Sequence, residues 1–364
     1  MTIDRTETRA MACHPFATRL IEWQRIHGRH DLPWQNTTDA YRIWLSEIML
    51  QQTQVAAVIP YYQRFLQAFP TLQSLANAPL ERVLELWSGL GYYSRARNLH
   101  RCAQMVIEKH QGEFPRDALQ IAELPGIGRS SASAIAAFAF GLRAPILEGN
   151  AKRVLARHAG IEGYPGERSV EVKLWEAAAD RMPADDVEAY TQGMMDLGAT
   201  VCVRSRPACM VCPVSDDCIA RTTHRIQSLP TPRPKRSVPQ RAVTMLLLLQ
   251  HESVLVERRP PTGIWGGLWS LPELPLDMDV EQYCATRYDA RVTPGHLLPP
   301  IEHGFTHYHL TITPQPCAVI AQSRRVEEPG LMWLPLMDAK GAALPAPIRK
   351  LLVALHEAGE PCVI

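Results

Sequence analysis

Four things are scarce or missing in this 364-residue sequence, and each shortage excludes a class of protein. Net charge is the first: 38 Lys and Arg stand against 37 Asp and Glu, a formal +1. The chain is therefore no histone-like polycation, although a local basic face remains open to it. A long apolar run is the second, because Met245–Leu249 with its flanks falls far short of the ~20 residues of a membrane helix. No membrane partner is expected. The start is also without an apolar segment, since Met1-Thr-Ile-Asp-Arg-Thr-Glu-Thr-Arg9 is polar, so no secretory leader is expected. Finally, the nine cysteines do not form the even set of a secreted disulfide scaffold, and four of them crowd into positions 202–218. A reducing cytoplasm and a metal site suit that pattern better.

The length favours two domains, and 46% hydrophobic residues can fill their cores, which excludes global disorder. Residues 1–224 read as nearly all helix. Windows such as Tyr41-Arg-Ile-Trp-Leu-Ser-Glu-Ile-Met-Leu50 carry apolar residues three and four apart, with Pro and Gly breakers between them. Positions 225–241 place four prolines among Arg and Lys with no acid, predicting an extended, exposed basic linker. From 242 to 364 the pattern turns to an α+β unit. A hairpin is predicted over 242–249 and 254–257, further strands at 265–271, 305–313 and 331–335, and helices near 279–288 and 346–356.

Leu124-Pro-Gly-Ile-Gly128 joins two helical patterns and is followed by the small-residue helix Arg129-Ser-Ser-Ala-Ser-Ala-Ile-Ala-Ala137. Gly126 and Gly128 let backbone amides approach a phosphate at a helix start, a grip on DNA that reads no bases. A turn using glycine for sterics alone fits the same letters. The full string resembles a helix–hairpin–helix DNA-binding motif, which would put Leu124, Gly126, Gly128 and Ser130 against DNA.

Cys202, Cys209, Cys212 and Cys218 place four thiols in one loop, a density that suits a soft metal or a cluster. Structural zinc generally uses two tight pairs, and only one Cys-x-x-Cys occurs here. The spacing resembles the 4Fe–4S loop of the endonuclease III and MutY glycosylase superfamily. Arg204, Arg206 and Arg221 would be presented to phosphates by such a loop. Cys13, Cys102, Cys284, Cys317 and Cys362 are scattered and read as small hydrophobes.

Two carboxylates stand out as a pair for breaking a glycosidic bond, one to protonate the leaving group and one to stabilise the cationic sugar. Glu47 lies in an apolar helix, where burial raises its pKa and keeps it an acid. Glu148, in Pro145-Ile-Leu-Glu-Gly-Asn150, precedes a helix whose positive end would keep it ionised. A plain N-cap role accounts for Glu148 equally well.

In order along the chain come Leu32-Pro-Trp34, Trp44-Leu-Ser-Glu-Ile-Met-Leu-Gln-Gln-Thr-Gln54, Gly89-Leu-Gly-Tyr-Tyr-Ser-Arg-Ala-Arg-Asn98, the hairpin, Met194-Met-Asp-Leu-Gly-Ala199 and the cysteine loop. Together, over residues 14–224, they resemble a MutY-type adenine DNA glycosylase. The resemblance implies an all-α glycosylase domain holding a 4Fe–4S cluster on the four cysteines. It implies that Glu47 protonates adenine at N7, that Asn150 helps place water or the sugar, and that Gln51 and Tyr92 enter the duplex as the base is flipped. The family's usual Asp before Gly-Asn is Glu148 here. Its carboxylate reaches about 1.5 Å further, and a misplacement of that size costs on the order of 100-fold. Ser130 stands where lyase relatives of the endonuclease III type carry the Schiff-base Lys, so a monofunctional enzyme that leaves an abasic site is expected.

In the C-terminal half the dense spots are Pro261-Thr-Gly-Ile-Trp-Gly-Gly-Leu-Trp269 and His303-Gly-Phe-Thr-His-Tyr-His309. Aromatic and His residues in such rows line a base-recognition surface or simply pack a sheet, and three histidines alternating on one strand would also suit a metal. By resemblance the half is a Nudix-like 8-oxoguanine-recognition domain, with Phe305, Thr306 and His307 in place of the family's Phe-Ser-His. No Glu-rich box follows Gly267, so nucleotide hydrolysis is not expected. The partner implied is double-stranded DNA carrying adenine opposite 8-oxoguanine or guanine, bound by a monomer. The alternatives are an endonuclease III-like glycosylase/lyase acting on oxidised pyrimidines, disfavoured by Ser130 and the extra domain, and a catalytically impaired DNA-binding homologue, suggested by Glu148.

Overall fold

The structure is a computed structural model that describes residues 14–234, 238–260, 263–305, 308–322 and 329–359. Helices follow one another as α1 (Pro15–His27), α2 (Ala40–Leu50), α3 (Val55–Ala68), α4 (Leu72–Ala76), α5 (Leu80–Trp87), α6 (Ser94–His110), α7 (Ala118–Ala122), α8 (Arg129–Phe140), α9 (Gly149–His158), α10 (Arg168–Arg181), α11 (Val187–Asp196) and α12 (Ile219–Thr222). Five residues of π-helix, Leu197–Val201, extend α11. Among the described residues up to 234 there is no strand. No described helix is long and apolar enough to cross a membrane.

The chain divides into two compact units, residues 1–77 with 98–234, and 78–97 with 235–364. In the first unit, α1, α8, α9, α10 and α11 bury a common apolar core that includes Phe16, Leu20, Val154, Leu155, Leu174 and Leu197. Helix starts follow their sequence signals. The Asp39 carboxylate accepts from the Tyr41 amide at 2.9 Å ahead of α2, and Pro15 opens α1.

The second unit is built on one mixed sheet. Its strands are β1 (Gln240–Gln250), β2 (Ser253–Arg258), β3 (Trp269–Ser270), β4 (Glu273–Leu274), β5 (Ala290–Pro294), β6 (Ile301–Gly304), β7 (His309–Gln322) and β8 (Leu331–Pro335). Helices α13 (Val280–Tyr288) and α14 (Ala346–Ala358) complete the α+β unit. The sheet order is β3-β2-β1-β7-β5, with β4 on β1, β6 on β7 and β8 on β2. β1 runs parallel to β7 from Gln240↔His309 to Leu249↔Ala318, and the expected hairpin closes with Leu249 opposite Val254. Met245 to Leu249 are all buried, which explains the unbroken apolar run: a central strand is covered on both faces.

Several local expectations change. The strand expected over 265–271 shrinks to β3, because Gly263 and Gly267 take positive φ and Trp265 sits at φ 54°, making a turn. His303 and His309 lie on two paired strands, β6 and β7, rather than alternating on one, and Gly304 is the residue opposite His309. Within 225–241, Leu229 is buried and β1 already begins at Gln240. Segment 78–97, read as part of the helical half, groups with the sheet. There Glu81 pairs with Arg258, Arg97 donates to the Gly266 carbonyl, and Arg349 donates to the Ser88 hydroxyl.

Candidate active site

Glu47 sits on the last full turn of α2, among the buried residues Ile43, Trp44 and Ile48. It lines a cavity of about 540 Å3 together with Arg29, Trp34, Phe138, Gln192 and Met195. The rest of its surroundings are protein, so burial pushes the carboxyl up to about 8, and the nearby Glu148 carboxylate pushes the same way.

Glu148 is the N-cap of α9, and both of its oxygens are engaged. Oε2 accepts from the Asn150 amide at 2.7 Å and Oε1 from the Ala151 amide at 2.8 Å. The added methylene is thus taken up in a bidentate cap. The helix start was expected to hold this group ionised; instead burial outweighs the two amides and Arg153, and its pKa lies above the ordinary range. The Glu148 carboxylate raises Glu47, so the two carboxyls titrate as a pair. At Glu148 two amides and a guanidinium favour the anion, while both influences on Glu47 raise its pKa, so the proton resides on Glu47.

The α9 start is locked from three sides. Ser130 Oγ accepts from the Leu147 amide at 2.9 Å, which fixes the backbone entering Glu148. Arg153 Nη2 donates to Asn150 Oδ1 at 2.8 Å and to the Gly198 carbonyl at 2.7 Å, while its Nε donates to the Cys202 carbonyl at 2.8 Å. Gly198 has no room for a side chain, since a Cβ there would lie 2.5 Å from Asn150 Cβ. One turn along, Arg157 donates to the Leu229, Val203 and Arg204 carbonyls at 2.7–2.9 Å.

Cys202, Cys209, Cys212 and Cys218 line one small cavity beside α9. Burial and its three thiol neighbours push Cys212 up to about 12. Four soft donors that repel one another when ionised suit a cationic centre that takes one thiolate per metal. Among the described residues no group of three or more His, Cys, Asp or Glu side chains is close enough to hold a single metal ion. Cys102, Cys284 and Cys317 are buried, as small hydrophobes.

The remaining sequence candidates fall in two places. Gln51 C-caps α2, and its Nε2 lies 3.4 Å from Ser131 Oγ on α8. In the hairpin Leu124 is buried. Gly126 needs to be glycine, at φ 80° with a Cβ position 2.7 Å from Asn98 Cβ. Gly128 does not: its φ is −87° and nothing lies within 4 Å of a Cβ built there. In the second unit, Tyr92 (φ 50°) and Phe305 line one cavity of about 400 Å3 with Arg97, Trp265 and His303. Phe305 stacks on Tyr308 at 4.8 Å and meets His303 edge-on at 4.6 Å. Thr306 and His307 lie outside the described residues.

Arg29, Gln192 and Asp196 were not anticipated as site residues. Their one signal in the sequence is the lone charge in Met194-Met-Asp-Leu-Gly-Ala199, a string whose other members are apolar or small.

The profile of the HhH-GPD superfamily base excision DNA repair proteins matches residues 45–180, and that of the NUDIX domain matches residues 243–354. The adenine DNA glycosylase of Buchnera aphidicola subsp. Acyrthosiphon pisum is 34% identical over 94% of this chain and 98% of its own length. That of Rattus norvegicus is 32% identical over 94% of this chain and 78% of its own. The solved structure of a thermostable thymine-DNA glycosylase superposes with a TM-score of 0.51 at 28% identity, covering 57% of this chain and 95% of that one. Adenine DNA glycosylases 32–34% identical to this chain cover 94% of it, its helical half matches the HhH-GPD profile and its sheet the NUDIX profile, and the chain belongs to the adenine DNA glycosylase family.

Proposed function

We propose that the chain is a monofunctional adenine DNA glycosylase of base excision repair, hydrolysing the N-glycosidic bond of adenine paired with 8-oxoguanine or guanine. The observation that carries this reading is the unequal pair of carboxyls: Glu47, pushed up to about 8 on the wall of a cavity with room for a base, and Glu148, held by two amides as the anion of the pair. Glu47 gives its proton to N7 of the flipped adenine, which makes the base a neutral leaving group. Glu148 stabilises the positive charge that develops on the sugar, and Asn150, oriented by Arg153, places the water or the sugar.

Leu124, Gly126, Gly128 and Ser130 place the hairpin amides at a DNA phosphate. The open space at Gly128, which the fold itself does not require, supports that role. Gln51 and Tyr92 enter the duplex as the base leaves it. Phe305, with Thr306 and His307 beside it, reads the 8-oxoguanine. Cys202, Cys209, Cys212 and Cys218 hold a 4Fe–4S cluster, whose chemistry here is to tie four distant loop positions together. The protein acts as a monomer in the bacterial cytoplasm.

Duplexes carrying adenine opposite 8-oxoguanine, or an oxidised pyrimidine, test the reading in single-turnover assays with and without borohydride. Adenine release that leaves an uncut abasic strand and no trapped adduct is expected. Preference for the oxidised pyrimidine, or a trapped adduct, would support the endonuclease III-like alternative instead.

A further inference from the structure

His158 ends α9 beside the cysteine loop, and none of the roles above uses it. Its side chain is 5% exposed and lines the small cavity shared by Cys202, Cys209, Cys212 and Cys218. Nε2 meets Asp217 Oδ1 at 3.1 Å, and Arg19 Nη2 donates to the same oxygen at 2.6 Å. The Phe16 ring packs edge-on against the imidazole, with centroids 4.6 Å apart. The ring is thus held from two sides.

A carboxylate accepts hydrogen bonds and cannot donate them, so the proton of the neutral imidazole sits on Nε2. Nδ1 is left with a lone pair, and among the described residues it has no hydrogen-bond partner. An acceptor orphaned at this depth costs free energy unless something binds it. An imidazole that donates one N–H to a carboxylate and keeps its other nitrogen free is the arrangement of a metal-ligating histidine. Two contacts place this one beside a particular thiol. Asp217 directly precedes Cys218, and Cys218 Sγ lies 3.6 Å from the carbonyl of Arg157, which directly precedes His158.

We propose that His158 is a reserve ligand of the cysteine loop, whose Nδ1 binds the iron assigned to Cys218 when that thiolate is lost. The inference rests on the cluster reading above and extends it. The step is a ligand exchange: the Fe–S bond to Cys218 breaks, the sulfur keeps the electron pair, and the Nδ1 lone pair forms an Fe–N bond in its place. The iron is neither oxidised nor reduced. Imidazole suits iron, and each iron of a cluster takes one protein donor, so a single exchange restores the full set.

The test uses the full chain isolated with its iron and sulfide, which are determined per chain and followed by pulsed EPR of the cryoreduced protein. Cys218→Ala should retain iron and sulfide and gain an imidazole nitrogen coupling that the parent lacks. Adding His158→Leu should remove that coupling and lower bound iron at least about tenfold, and adding Asp217→Ala instead should weaken iron binding by roughly 10- to 100-fold. Cys218→Ala protein without iron, iron without the nitrogen coupling, or a coupling that survives His158→Leu overturns the proposal. Should Cys218→Ala not fold, Cys218→Ser keeps the shape of the thiol, and absence of the coupling there overturns the proposal equally. An unaltered protein that holds no iron or sulfide would instead sink the cluster reading itself.

Discussion

Glu47 and Glu148 differ by what surrounds them, and that difference has measurable consequences. Replacing Glu47 by Gln removes the proton donor, and single-turnover adenine release should drop by roughly 100- to 10,000-fold. The same change should stabilise the fold near neutral pH. Glu47 has its pKa raised from 4.5 to about 8 by folding, so the native state holds a proton that the unfolded chain gives up. Its contribution to stability is therefore full below pH 4.5 and is lost as the pH rises toward 8. Glu47→Gln should recover roughly 1–3 kcal/mol at pH 7.5, read from chemical denaturation. Glu148→Asp shortens the cap but keeps an excellent N-cap residue, so adenine release should be preserved or raised. A large loss would show that the site is built around the longer side chain. The sequence made Glu47 legible because its neighbours along the helix, Ile43, Trp44, Ile48 and Leu50, are apolar. It hid the burial of Glu148, because a string shows that a helix begins but not how deeply its cap is buried. Gln192 and Asp196 were hidden for a related reason: polar residues read as exposed until a cavity is seen beside them.

At the scale of elements, the two hairpin glycines separate packing from contact. Gly126→Ala meets Asn98 Cβ at a positive φ and should cost stability on the order of 1–3 kcal/mol. Gly128→Ala meets nothing and should cost about 1 kcal/mol or less, yet it should weaken duplex binding in a titration, because a methyl stands where a phosphate approaches. Equal effects of both changes on stability, with none on binding, would return the hairpin to a plain turn. Gly198 carries a third test. A Cβ there collides with Asn150 at the start of α9, so Gly198→Ala should lower both the melting temperature and adenine release. The glycine pattern marked the hairpin in the sequence, but the strand expected over 265–271 is cut back to Trp269–Ser270, because Gly263 and Gly267 at positive φ turn the chain ahead of it.

Across the whole molecule, the helical and α+β halves were legible because hydrophobic period changes from helical to strand spacing after residue 241. The assignment of 78–97 to the second unit was not, because α5 has the same helical period as its neighbours and only tertiary partners such as Arg258 and Arg349 decide where it belongs. The cysteine loop was legible from spacing alone, but its ties to α9 through Arg153 and Arg157 were not, since each guanidinium reaches carbonyls 45 or more positions away. Cys212→Ser should abolish bound iron and sulfide and expose the 202–218 loop to protease, with loss of adenine release following from the loosened α9. Binding by phosphate contact should also show a steep fall of affinity with salt, measured on one duplex at several salt concentrations.

The central claim is that a protonated Glu47 delivers the proton that releases adenine, and its pH–rate profile tests this most directly. Single-turnover release from adenine opposite 8-oxoguanine should be high at pH 6, fall as the pH rises through about 8, and lose that limb in Glu47→Gln. A profile that is flat across that range, or unchanged by the substitution, would contradict the account.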